Sequence, residues 1–203
     1  MPSINAIKLD VSESYYHVYA RGVNIQDIFL DVTDFEYFQS LLARYLSDKP
    51  LLNKDGVAYP HFANYIELNC YCLMRNHFHL LIYQIDQGSM TGLMHSLMVS
   101  YSLYFNFKYR RTGHVFEGRY KASIITDDSY LTHISRYIHM NPRYWKYYKY
   151  SSLASYRGGL LPEWLRIERI ISRYSSAQTY YDFLLEYENQ KELLREIKHE
   201  LAC

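Results

Sequence analysis

CYCLMRNHFHLLIYQ, residues Cys70 to Gln84, is the stretch whose reading decides the fold. Two apolar, aromatic-rich runs, Ala63 to Met74 and His77 to Gln84, flank the polar pair Arg75-Asn76, which is the pattern of a hairpin. Alternate residues of a strand point to the same face, so His77 and His79 present two imidazoles side by side, while Phe78, Leu80 and Ile82 face the opposite layer. Two neutral imidazoles at that spacing are half of a metal site.

Working upstream, Tyr15 to Ala20 reads as a strand closed by Arg21-Gly22. Thr33-Asp34-Phe35-Glu36 has the form of a capping box that opens a helix carrying Phe35, Phe38, Leu41, Leu42 and Tyr45 on one stripe. The segment Lys49 to Pro60, with two prolines and a glycine, reads as a loop. Downstream, Met90 to about Phe107 keeps helical spacing through Leu93, Met94, Leu97, Tyr101 and Tyr104, and Tyr120 to Ile125 reads as a short strand. Asp127 or Asp128 caps a further helix whose stripe Leu131, Ile134 and Ile138 turns inward, and Pro142 limits it. The order strand, helix, hairpin, helix, strand, helix predicts an α+β, ferredoxin-like (split βαβ) antiparallel sheet with helices on one face. This unit spans residues 1–150. Residues 151–203 form a C-terminal helical extension that ends in an amphipathic helix from about Tyr180 to Leu201.

The 203 residues, 49% hydrophobic and 21% charged, suit one well-buried core. No apolar run approaches the roughly 20 residues that cross a bilayer, and Met1 to Asp10 lacks the charged start and apolar middle of a signal peptide. A soluble, cytoplasmic protein without a membrane partner is expected. Its three cysteines make neither a disulfide framework nor a zinc pattern, so they read as reduced and mostly buried. The net charge of +1 conceals an asymmetry: Tyr101 to Tyr150 carries nine Lys or Arg against three acids, and Glu186 to Glu200 five Glu against three basic residues. A basic, aromatic middle is what phosphate binding with base stacking uses, and a merely solubilising field gives the same pattern.

On the helix from Asp128 to Asn141, His133, Tyr137 and Asn141 fall at i, i+4 and i+8, on a face distinct from the apolar stripe. That face can look onto the histidine strand. Mg²⁺ or Mn²⁺ held by His77, His79 and the amide oxygen of Asn141 would keep open positions for phosphate oxygens and water, with Tyr137 beside the polarised phosphorus. With 24 tyrosines in the chain, position rather than residue type selects Tyr137; Tyr130 and Tyr120 are the alternative nucleophiles. His133 reads either as a group orienting the phenol or touching phosphate, or as a surface histidine. Arg119 and Lys121 read as contacts to a DNA backbone or as partners of Glu117 or of an acid of the tail.

The runs 71–82, 113–122 and 130–142, with Tyr16-His-Val-Tyr-Ala-Arg-Gly22, resemble those of the HUH single-tyrosine transposases, and most of all their REP-associated branch; the likeness covers about residues 14–156. It implies His77 and His79 as metal ligands, Asn141 as the third ligand and Tyr137 as nucleophile. The reaction implied is metal-assisted cleavage of single-stranded DNA that leaves a 5′-phosphotyrosine and frees a 3′-hydroxyl; rejoining needs no nucleotide cofactor. The implied substrate is a DNA hairpin with a single-stranded flank, contacted by Lys108, Arg110, Arg111, Arg119 and Lys121, and a homodimer is among the expected assemblies. Arg143-Tyr144-Trp145 stands where many relatives have small apolar residues, and Val23 replaces a frequent Asn. Two other readings compete: a replication or mobilisation relaxase, and a domesticated DNA-hairpin binder with little catalysis.

Overall fold

The computed structural model describes the backbone of residues 10–200 and the side chains of 10–190. Four strands, β1 (Ser14–Arg21), β2 (Ile66–Met74), β3 (His77–Gln84) and β4 (Lys121–Ile125), form one sheet in the order β2-β3-β1-β4. Every adjacent pair is antiparallel. Helices α1 (Val32–Leu46) and α2 (Ser89–Lys108) make the two crossovers, and α3 (Asp128–His139) follows β4. This is the ferredoxin-like α+β arrangement that the order of elements predicts, with the β2-β3 hairpin turning at Arg75-Asn76.

The sheet has two unlike faces. Tyr16, Val18 and Ala20 of β1 pair with Ile82, Leu80 and Phe78 of β3, and all are buried. Against this face pack α1 and α2, whose buried stripes Phe35, Phe38, Leu41 and Leu42, and Leu93, Met94, Leu97 and Tyr101, carry the predicted helical period. Phe38 meets Phe78 at 5.0 Å and Tyr101 at 5.2 Å between ring centroids. The two crossover helices thus share one face, as expected, and α3 lies on the other, beside the alternate residues His17, His77 and His79.

Strand β2 changes phase midway. Leu68 pairs with Ile82 but Cys70 pairs with Leu81, so Asn69 is an extra residue in a bulge, its amide donating to the Arg166 carbonyl at 2.7 Å. The shift leaves Leu68, Tyr71 and Leu73 facing α1 and sends Cys70 and Cys72 to the histidine side, where both are buried and free. Cys203 lies outside the described residues.

Helix α1 is capped two residues before the expected position. Asp31 rather than Thr33 is the N-cap, and Asp34 closes the capping box in place of Glu36. Asp34 is fully buried and also accepts from the Leu30 amide, from Tyr109 and from Lys108, a set of partners that a sequence pattern does not show. Beyond β4 the chain forms two short helices, α4 (Leu153–Tyr156) and α5 (Glu168–Ile171), and then α6 (Ala177–Glu200), which begins three residues earlier than predicted; Leu201 lies outside the described residues. Leu153, Tyr156, Trp164, Leu165, Ile170, Tyr180 and Leu184 join the same core as the sheet. No helix among the described residues is long and apolar enough to cross a membrane.

Candidate active site

His77 opens β3 and His79 follows on the same face, with ring centroids 4.9 Å apart and planes at 86°. Each ring is held at Nδ1. His77 Nδ1 lies 2.6 Å from Asn76 Oδ1, and His79 Nδ1 lies 2.9 Å from His17 Nε2 on the neighbouring strand β1. Donation from both Nδ1 atoms leaves both Nε2 atoms as bare lone pairs, the usual way a ligating histidine is oriented by its surroundings. The Asn141 side chain lies close enough to His77 to oppose the lowering of its pKa, which sets the Asn141 amide beside this spot.

Burial makes the cluster neutral. It lowers His79 to about 2, helped by the neighbouring His17 and His77, and lowers His17 to about 4. Burial also lowers His77; the Asn141 hydrogen bond opposes that, and the Arg21 charge adds to it. Neutral imidazoles are the form that binds cations. Among the described residues no group of three or more His, Cys, Asp or Glu is placed to hold a metal, so a cation here would rest on two imidazoles and an amide oxygen. That sparse donor set would leave most positions of a divalent ion open to water and phosphate oxygens.

Helix α3 brings the tyrosine. Asp127 caps it by accepting from the Tyr130 amide, Leu131, Ile134 and Ile138 pin it to the sheet, and the buried His139 ties its end to Ser152 at 2.7 Å and to Tyr180 at 2.6 Å. The Tyr137 ring stands edge-on to His79 at 5.4 Å and to His17 at 5.7 Å, yet the residue is 48% exposed. The helix ends at His139, so Asn141 is not on a third helical turn with His133 and Tyr137 as the spacing suggests. It sits past the C-cap Met140, where Pro142 stops the helix, and reaches His77 from the turn.

A cavity of about 350 Å³ holds His77, His79 and Tyr137 together with Arg119 and Lys121, and the ion pair Arg21–Glu117 at 3.0 Å forms part of its wall. Lys121 reaches it because β4 pairs it with Tyr19 on the histidine face, its Nζ 5.8 Å from the Tyr19 ring. Other expected residues go elsewhere. His133 bonds Arg136 and faces Phe183 of α6, away from the histidine pair. Tyr130 is exposed but lines a separate cleft, and Tyr120 is buried with its hydroxyl 2.9 Å from Thr91, which excludes it as a nucleophile.

Lys108 corrects the expectation most clearly. Its ammonium lies 2.7 Å from both Asp31 and Asp34, so its charge is engaged at the start of α1 and not by a nucleic acid. Arg111 covers the Phe105 ring at 5.3 Å, and Arg110 ends α2 in a left-handed conformation; neither lines the cavity. Sequence reasoning misses His17 and Asn76. The signal for His17 is a polar residue between the inward Tyr16 and Val18, on the same strand face that β3 reserves for histidines.

Residues 62–141 match the family model described as transposase, IS200-like. That segment includes β2, β3, α2, β4 and α3, and with them both histidines, Tyr137 and Asn141. A solved structure of a REP-associated tyrosine transposase bound to a REP hairpin is similar in fold, with a TM-score of 0.56 at 14% identity over 79% of this chain and 89% of that one. No curated protein matches the chain. The matched segment, which carries the histidine pair and the tyrosine, is thus similar to the IS200-like transposases, and the solved structure shares the fold on which they sit.

Proposed function

We propose that this chain nicks and rejoins single-stranded DNA beside hairpins, with Tyr137 as nucleophile and a divalent cation, Mg²⁺ or Mn²⁺, at His77, His79 and Asn141. One observation carries the reading: the Tyr137 ring lies edge-on to the neutral histidine cluster while remaining half exposed in a cavity that also holds Arg119 and Lys121. The hairpin of the structurally similar transposase supports this class of substrate.

Arg119 and Lys121 hold the backbone of the strand, and the Tyr137 oxygen attacks phosphorus. A bond from the tyrosine oxygen to phosphorus forms as the bond from phosphorus to the 3′ oxygen breaks; the phenol proton passes to water, and the leaving oxygen takes one up as a 3′-hydroxyl. The bound cation would polarise the phosphoryl oxygen and offset its growing negative charge, the help that a weak oxygen nucleophile needs. His17 and Asn76 keep the two Nε2 atoms turned toward that position. Rejoining reverses the exchange with a 3′-hydroxyl as attacker, so no nucleotide cofactor is required.

The test is a covalent one. Oligonucleotides carrying inverted repeats from the DNA flanking the gene, incubated with the protein and Mg²⁺ or Mn²⁺, should yield an adduct that survives denaturation. Tyr137→Phe should abolish it with binding nearly intact. An adduct that persists in Tyr137→Phe and vanishes in Tyr130→Phe would overturn the assignment.

A further inference from the structure

Tyr137 borders a second, larger space. A cleft of about 1030 Å³ runs along the outer side of α3, closed by the segment that follows it and by α6, with Tyr137, Arg136, Arg143, Tyr144, Trp145 and Tyr187 in its wall. Tyr137 is the residue that lines both this cleft and the cavity of the histidines. The nucleophile therefore stands at a junction, with the cation position on one side and a wide aromatic channel on the other.

The chemistry of the cleft is unlike that of a protein-docking groove. Tyr144 is 72% exposed, so its ring is open to a ligand. The Arg143 guanidinium lies 5.5 Å from the Tyr144 ring centre, and that of Arg136 lies 4.1 Å from the Tyr187 ring. Among the described residues neither arginine has a carboxylate within ion-pairing distance, in contrast to Arg21, Arg75, Arg166, Arg169 and Arg173. Glu188, the acid in the wall, is neutralised by Lys146 at 2.7 Å and by the Trp145 indole at 2.9 Å. Flat rings beside guanidinium groups that form no ion pair among the described residues suit unstacked bases joined by phosphates. A duplex keeps its base faces covered by neighbouring pairs and has nothing to offer these rings.

We propose that the cleft between α3 and α6 is a stacking channel for the unpaired nucleotides next to the scissile phosphate, with Tyr144 as its base platform and Arg143 and Arg136 as its phosphate contacts. The proposal rests on the single-stranded DNA reading above and adds to it the path of the strand. The Arg143-Tyr144-Trp145 run then serves to read the flank, not the hairpin.

The experiment uses the full chain and a single-stranded oligothymidylate with one 2-aminopurine at its centre, against a blunt duplex of equal length. Binding of the single strand should quench the 2-aminopurine. Tyr144→Ala, an exposed change that leaves the core untouched, should weaken single-strand binding about tenfold and relieve the quench, with duplex binding unchanged. Arg143→Ala should weaken single-strand binding and leave the quench of the bound state in place. Equal binding and quenching by wild type and Tyr144→Ala, or equal loss on single strand and duplex, would overturn the channel. Wild-type adduct formation is scored separately. An intact adduct with an unaffected Tyr144→Ala removes the channel alone, whereas a quench that depends on Tyr144 without any adduct removes the nicking reading alone.

Discussion

The two faces of strand β3 share eight consecutive residues and little else. Phe78, Leu80 and Ile82 are fully buried beneath α1 and α2, each filling space between rings and aliphatic chains. His79, one pleat away, is almost as deeply buried, but its Nδ1 has a directed partner in His17, and α3 covers the face without closing it. Apolar packing is non-directional and tolerates exchange of equal volumes, whereas an imidazole whose two nitrogens do different jobs tolerates almost none. One face specifies that the sheet forms, and the other presents the polar groups of the candidate site.

The largest effect that would break this contrast is on chemistry with stability untouched. Tyr137→Phe removes one oxygen from a half-exposed ring; the covalent adduct should disappear while the thermal midpoint stays close to that of wild type. A large loss of stability would mean that Tyr137 is a packing residue. The reverse experiment is Phe78→Ala, which empties a site between Phe38 and Phe116 and should cost about 3–5 kcal/mol by denaturant titration. Its residual activity, normalised to folded protein, should stay close to wild type if the faces act independently.

Acid should act on the histidine face. Burial lowers His79 to about 2 and His139 to about 3, so both stay neutral in the fold while the unfolded chain takes up protons below its usual pKa near 6.5. Stability is then full above about pH 6.5 and falls as the pH drops toward the folded values, by up to about 1.4 kcal/mol per pH unit for each imidazole. Unfolding curves between about pH 7 and pH 4 check the sign; a protein more stable at about pH 5 than at pH 7 would contradict it.

A finer comparison concerns orientation alone. His17→Ala removes the group that holds His79 Nδ1 and should weaken Mn²⁺ binding, read by paramagnetic resonance without any substrate, by about 10–100-fold. His17→Gln, which retains an acceptor, should recover part of it. The smallest expected change is in salt dependence: replacing Arg119 and Lys121 by Ala should flatten the log–log slope of single-strand binding by about 0.7 for each phosphate no longer neutralised. Lys108→Ala should leave that slope alone and lower stability, because its partners are Asp31 and Asp34.

Local elements and the candidate site residues are legible in the chain alone. The period of two in residues 77–84 assigns His77 and His79 to one face, the hairpin follows from Arg75-Asn76, and the stripes of α1, α2 and α3 can be read because helical spacing is a property of neighbouring residues. The family likeness then singles out Tyr137 among 24 tyrosines. Other features arise only when residues far apart in the chain pack together. The bulge at Asn69, fixed by a bond to Arg166, sets which residues of β2 face the histidines. His17 enters the site through strand pairing across 62 positions, and Lys108 leaves the DNA surface for carboxylates 77 and 74 positions away. Asn141 meets His77 from a turn and not from a helix. Periodicity constrains the direction of a side chain from its own backbone, but the partner waiting in that direction is fixed by the packing of distant segments, which no local pattern encodes.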